Sequence, residues 1–393
     1  MNAPPIVQSL IAPFGMQHFN YTPRMGILST FPPTPCGIAT FSEALADGLR
    51  ARGTKVDVVR IADGEACGHA NVIGELVNDS PASVAETSEL LNRSDVAVIQ
   101  HEYGIYGGTD GDEVVDVMKG LRVPILVIAH TVPKEPTTHQ RSVLEEVVAL
   151  ADQVVVMSDV ARRRLCEHFA VDATKVATIA HGAALPSAEA PLPAGRPTIL
   201  TWGLLGPGKG IERVIDAMIS LRNLPTKPRY LVAGRTHPKV LAHSGESYRE
   251  GLFAQAGRLG VADSVSFDAV YRDSAALAEL VQSAAVVVLP YDSREQVTSG
   301  VLVDSIASGR PVVATAFPHA VELLGTSGAG VVVDHDDPAA LVEALRSMLT
   351  DPTIAGSMAS RARGLAPSLA WPVVAQSYAT LAQRVMAARL ALA

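Results

Sequence analysis

The sequence is poor in cysteine. Three cysteines, Cys36, Cys67 and Cys166, stand far apart among 393 residues. They supply neither the even count of a disulfide framework nor the close pairs of a zinc site, so a reducing, cytoplasmic compartment is expected. Positive charge is also scarce: 32 Lys and Arg against 40 Asp and Glu leave a net charge of −8. That balance argues against a protein that grips nucleic acid through a broad basic surface, although a local basic cleft stays compatible with it. No apolar run approaches the ~20 residues of a membrane span. The first twenty residues, with Pro4, Pro5, Pro13 and Gly15, lack the basic stretch and apolar core of a secretory signal. No transmembrane segment is therefore expected, and contact with a membrane surface is left open.

What is present is a globular composition, with 48% hydrophobic and 18% charged residues. The length suits two domains of roughly 100–200 residues. Short β-branched runs at 25–30, 55–61, 96–100, 124–129 and 153–157 read as buried parallel strands, with a helical pattern at 41–52 between the first two. A proline- and glycine-rich stretch, 185–197, reads as a linker. The pattern then restarts, with strands at 198–202, 230–233, 264–267, 285–290, 311–315 and 330–333 and helices that include 211–222, 275–282 and 338–349. Two such βαβ arrays predict an α/β protein of two doubly wound parallel-sheet domains, 23–190 and 191–368, after an N-terminal extension at 1–22.

Doubly wound sheets bind ligands beyond the carboxyl ends of their strands, which directs attention to the loops there. After the first strand, Gly37 precedes a helix, where a glycine lets backbone N–H groups approach an anion, or simply makes a turn. The next loop carries His101, Glu102 and Tyr103, and the one after it His130. Polar and aromatic residues at successive strand ends are expected to meet in a cleft and face a substrate. The second array opens with Gly203-Leu-Leu-Gly-Pro-Gly208-Lys209-Gly210. This nearly matches a P-loop, but Gly210 replaces the Ser or Thr that would hold Mg²⁺, so an NTPase is not expected. A glycine-rich turn, a helix start and Lys209 still suit a diphosphate. Thr298, Ser299 and Gly300 form a second anion-ready helix start. Asp304, a turn further on, suits ribose hydroxyls or, more plainly, the helix dipole. Asp110-Gly-Asp112 reads as a cap for the helix 113–119, and Asp337-Pro338 as the start of another.

In order and spacing these loops resemble the GT-B retaining glycosyltransferases of family 4, over about residues 25–385. The resemblance rests on the Gly37 loop, His130, the Gly203…Lys209-Gly210 turn, Ser299-Gly300 and Gly309-Arg-Pro311. It implies a GT-B fold, two Rossmann-like domains facing across a cleft, with the acceptor side first, the nucleotide-sugar donor side second, and a terminal helix, 369–393, crossing back from Trp371. It implies that a hexosyl group passes from a UDP- or GDP-sugar to a carbohydrate or glycoside hydroxyl, with no metal and no cofactor. Lys209 would hold the donor diphosphate with Gly37, Gly203, Thr298, Ser299 and Gly300. His130 would face the donor sugar, Gln296 and Asp304 would occupy the paired acidic positions, and Arg235 and His237 would lie beside the nucleotide or acceptor. His101, Glu102 and Tyr103 would face the acceptor. Two departures stand out: Leu204 replaces an arginine on the diphosphate, which Arg235 or Arg294 would have to offset, and Gln296 replaces a glutamate. A phosphorylase on the same fold and a non-catalytic nucleotide-sugar-binding subunit are the alternatives.

Overall fold

The computed structural model describes residues 21–186, 195–270 and 272–392. Most of the proposed N-terminal extension and the centre of the proposed linker lie outside the described residues. The first lobe is built on seven strands: β1 (Met25–Ser29), β2 (Val56–Ile61), β3 (Val72–Leu76), β4 (Val96–His101), β5 (Ile125–Ala129), β6 (Gln153–Val156) and β7 (Val176–Thr178). All pair in parallel, in the order β3-β2-β1-β4-β5-β6-β7. The second lobe has six: β8 (Thr198–Trp202), β9 (Arg229–Ala233), β10 (Val265–Asp268), β11 (Val286–Leu289), β12 (Val312–Thr315) and β13 (Gly330–Val333). These are again all parallel, in the order β10-β9-β8-β11-β12-β13.

The central strands are covered on both faces, which is why they read as unbroken apolar runs. Every residue of β1, β4, β5, β8, β11 and β12 is buried. The sequence reading missed β3 and β7. Both are edge strands, and their half-exposed residues dilute the apolar signal.

Each sheet reverses direction once, at β1/β4 and at β8/β11. Such switch points open a crevice beyond the strand ends. The loops after β1 and β4 therefore flank one side of the cleft, and those after β8 and β11 flank the other.

The last helix, Trp371–Leu392, packs on the first lobe although it follows the second. Val374, Ala375, Tyr378 and Ala382 share a core with Met25, Ile27, Phe41 and Leu45. Where the chain crosses back, Trp371 N–H donates to the Ala183 carbonyl (3.2 Å) and Ala183 N–H to that of Leu369 (2.7 Å), so the two crossovers run side by side.

Candidate active site

On the first-lobe wall, the loop after β1 ends in Cys36, whose sulfur accepts from Ala39 N–H (3.3 Å) and caps the helix Gly37–Arg50. A Cβ built on Gly37 meets nothing within 4 Å, so the helix start has open space beside it. Arg60 holds this loop from beneath. Its fully buried guanidinium donates to the Phe31 carbonyl (3.2 Å), Thr34 Oγ1 (3.0 Å), the Glu65 carbonyl (2.9 Å) and Glu75 Oε1 (2.7 Å), and it also pairs with Asp63. In the sequence Arg60 is one polar residue in an apolar strand, which hid its role.

His101 and His130 end adjacent strands and are joined through the backbone, His130 N–H donating to the His101 carbonyl (3.0 Å). The His130 ring lies against Gln100, with Nε2 2.6 Å from Oε1. An amide oxygen only accepts, so the ring proton sits on Nε2 and the Nδ1 lone pair is left over. Burial, with help from His181 and His101, holds His130 down to about 3. Burial likewise lowers His101 to about 4. Both rings are neutral at pH 7. Glu102 accepts from Tyr103 N–H (3.1 Å) and from Thr131, and burial pushes its carboxyl up. The Tyr103 hydroxyl donates to the Gln140 carbonyl (3.1 Å), which ties it to the helix Thr138–Leu150.

On the second-lobe wall, the turn after β8 relies on glycine. Gly210 adopts φ +63°, and a Cβ there would lie 1.8 Å from the Pro290 carbonyl oxygen; Gly203 and Gly234 abut in the same way. These contacts pull the β8, β9 and β11 loops together. Lys209 lies with Nζ 4.6 Å from the Tyr291 ring centroid, and no carboxylate among the described residues pairs with it. Burial lowers its pKa. A partly desolvated ammonium facing a ring rather than an anion is prepared for an anion.

His237 caps the helix Pro238–Ser244. Its pKa is lowered by burial and by the ammonium groups of Lys239 and Lys209, which places the three side chains on one wall. Lys239 crosses the cleft: a Cβ on Gly104 would lie 2.9 Å from its Nζ. The Arg235 carbonyl accepts from Leu205 N–H (2.8 Å), setting its loop alongside the glycine turn.

Ser299 caps the helix Gly300–Ala307, accepting from Leu302 N–H (3.2 Å), while its own N–H donates to His319 Nδ1 (2.9 Å). The Gln296 side-chain amide donates to the Thr298 carbonyl (2.9 Å), so it braces the loop. Thr298 Oγ1 and Gln100 Nε2 are buried without a partner among the described residues. Burial raises Asp304 to about 7.

Two expectations need correction. Arg294 is committed elsewhere, pairing in a two-pronged contact with Asp336 (2.7 and 2.8 Å) on the exposed surface, so it does not replace the missing arginine. Asp112 occupies a helix cap but makes no capping bond; Asp110 and Asp112 turn toward His139 instead (3.1 and 3.5 Å). The Asp337 cap is as expected, accepting from Ala340 N–H (2.8 Å).

The sequence reading missed His181, which sits on the crossover segment. A Cβ on Gly300 would lie 2.8 Å from its Nε2. Phe41 meets His130, His181 and Trp371 edge-on, with ring centroids 5.0–5.1 Å apart. The His181-Gly182 pair just after β7 was its only sequence signal.

Two parallel sheets with their switch points at the cleft, a lysine-bearing glycine turn and a helix start on each wall frame the candidate site. The family profile described as Glycosyltransferase Family 4 matches residues 35–185, and the one described as Glycosyl transferases group 1 matches residues 187–364. The chain belongs to the family 4 glycosyltransferases with the GT-B fold. Among curated relatives it is 27% identical over 256 residues to the D-inositol 3-phosphate glycosyltransferase of Streptomyces avermitilis, covering 62% of this chain and 54% of that protein. The enzyme of the same name from Segniliparus rotundus is 26% identical over 276 residues, covering 65% of this chain and 60% of that protein. The matched region thus spans little more than half the length of these relatives. Among solved structures, sucrose-phosphate synthase from Thermosynechococcus elongatus shares the fold with a TM-score of 0.75 at 19% identity, over 93% of this chain and 100% of that one. Anabaena Alr3699/HepE, solved in complex with UDP and glucose, shares it with a TM-score of 0.70 at 17% identity, over 91% and 98%.

Proposed function

We propose that the protein transfers a hexosyl group from a nucleoside diphosphate sugar to a hydroxyl of a carbohydrate or glycoside, with retention at the anomeric carbon. The observation that carries this reading is Lys209, a largely buried cation with no carboxylate partner among the described residues, which ends a glycine turn and lies over Tyr291 in the loop that leads to the helix start at Ser299-Gly300. That arrangement fits a diphosphate leaving group. HepE, which shares the fold, is solved with UDP-glucose, which supports a nucleotide-sugar donor. The curated relatives are named for D-inositol 3-phosphate, so small polyols belong beside glycosides among the acceptors to test.

In this reading the bond from the anomeric carbon to the β-phosphate oxygen stretches first. Lys209 and the amides of Gly37 and Gly300 stabilise the departing charge; the Ser299 N–H is spent on His319, so Ser299 serves by capping the helix, with Gly203 and Thr298 shaping the pocket. A β-phosphate oxygen takes the acceptor proton, and the acceptor oxygen bonds to the same face of the sugar. His130, neutral and donating through Nε2 to Gln100, offers Nδ1 to a sugar hydroxyl. Gln296 holds the loop that faces the sugar, Asp304 binds the ribose, and Arg235 lies toward the nucleotide. His101, Glu102 and Tyr103 form the acceptor wall. The reading assigns no metal and no cofactor.

The test begins with thermal shift against UDP, GDP and ADP, since a specific ligand stabilises by mass action. Transfer is then assayed with the matching nucleotide-sugars. Lys209→Ala is expected to lower turnover about 10- to 150-fold, the equivalent of losing a charge-assisted contact of about 1.5–3 kcal/mol, while the melting temperature holds. Unchanged turnover removes the diphosphate role. Nucleotide binding with no transfer to any acceptor favours a binding subunit instead.

A further inference from the structure

Arg164 has no place in the chemistry above, yet it is 9% exposed at the lobe interface. It lies on the helix Asp159–His168 of the first lobe. One terminal nitrogen, Nη1, carries two hydrogens and spends them on two carbonyls: Val132 at 2.9 Å and Glu295 at 2.8 Å. Val132 is two residues past His130, in the first lobe. Glu295 immediately precedes Gln296, in the second. A single guanidinium therefore joins the two loops that the proposed reaction needs in register.

The same helix is docked at its start. Ser158 Oγ donates to the Val297 carbonyl (2.6 Å), on the other side of Gln296. The Glu322 carboxylate of the second lobe accepts from both Asp159 N–H (2.9 Å) and Val160 N–H (2.6 Å). A carboxylate at a helix N-terminus is favoured by the dipole and by the open first-turn amides. Glu322 sits on the helix Pro318–Ser327, whose His319 receives Ser299 N–H.

We propose that Arg164 is a positioning residue that couples closure of the two lobes to assembly of the site. With the lobes together, the carbonyls on both sides of Gln296 are held from the first lobe, by Arg164 and Ser158. When the lobes part, Arg164 keeps Val132 and loses Glu295, and the Gln296 loop is released. A buried guanidinium needs its acceptors, so the closed arrangement is favoured by the group that reads it. The part played by Gln296 and His130 rests on the glycosyl-transfer reading; the docking of the lobes does not.

The experiment compares Arg164→Met, Arg164→Lys and Glu322→Gln with the unaltered protein. In steady-state assays, Arg164→Met is expected to lower kcat at least tenfold with donor KM and UDP affinity changed less than threefold, because Lys209, Gly300 and Asp304, which would hold the nucleotide, all lie on the second lobe. The share of donor hydrolysed rather than transferred is expected to rise, and Arg164→Lys to recover part of kcat. Small-angle scattering with UDP is expected to give a larger radius of gyration for Arg164→Met and for Glu322→Gln. Unchanged kcat and unchanged scattering overturn the proposal, as does a loss of kcat, UDP affinity and melting temperature in the same proportion. If Arg164→Met does not fold, Glu322→Gln, whose side chain is 25% exposed, carries both measurements. If the unaltered protein transfers no sugar, the glycosyl-transfer reading fails, and scattering alone decides the role of Arg164.

Discussion

At Asp304 burial sets the charge of the carboxyl. The carboxyl titrates near 7 in the folded protein, against an ordinary carboxylate value near 4. The sign follows from linkage: between those values the folded chain holds a proton that the unfolded chain has lost, so this group's contribution to stability falls as pH rises toward 7. Binding that uses the carboxylate as an acceptor for ribose hydroxyls runs the opposite way and strengthens as pH rises through 7. Affinity for a UDP-sugar, whose phosphates do not titrate in this range, is therefore expected to increase from pH 6 to pH 8. Asp304→Asn is expected to bind more weakly at pH 8 and to show no such rise; calorimetric titration at both pH values checks it. His101, His130, His181 and His319 contribute nothing there, since burial holds them at about 3–4. Lys209, Ser299 and Asp304 were legible because each follows a strand end at a telling spacing. His181 and Arg164 were not, because the groups they meet across the cleft lie more than a hundred residues away; Arg60 was not, because it stands alone in an apolar strand and no period marks it.

Among the elements, the loops after β8 and β11 show how glycine positions a site. Gly210 combines a left-handed backbone with a carbonyl 1.8 Å from where a Cβ would stand, whereas Gly208, at φ +89°, has nothing within 4 Å. Gly210→Ala therefore meets both backbone strain and a clash, and Gly208→Ala only the strain. The first is expected to cost about 2 kcal/mol or more, a fall of roughly 4–8 °C in melting temperature for a domain of this size, with weaker nucleotide binding as Lys209 shifts. The second is expected to cost about half as much. Calorimetry of both variants checks the order; equal effects refute it. The fully buried central strands were legible, and so were the edge strands β10 and β13, whose residues are still mostly apolar; β3 and β7 escaped notice because each is short or interrupted by polar and glycine residues.

Across the whole molecule, the terminal helix couples the chain's end to its beginning. Val374, Ala375, Tyr378, Ala382 and Val385 are each at most 6% exposed, against the helix Gly37–Arg50. Each large apolar side chain buried this way contributes about 1.5–3 kcal/mol. A chain ending at Ala370 is expected to lose the calorimetric transition of the first lobe and keep that of the second, which retains its own cores. Loss of both transitions, or no change in either, would contradict this assignment.

By itself, the sequence determined the two doubly wound sheets and the family, because apolar strand runs and glycine-lysine turns are written in consecutive residues. Only the tertiary structure decided which groups cross the cleft. It turned Arg294 to Asp336, set Lys239 over Gly104, placed His181 against Gly300 and laid Arg164 between the carbonyls of Val132 and Glu295. Such contacts arise from how loops and lobes pack, and hydrogen bonds between residues dozens to more than a hundred positions apart leave no period in the chain.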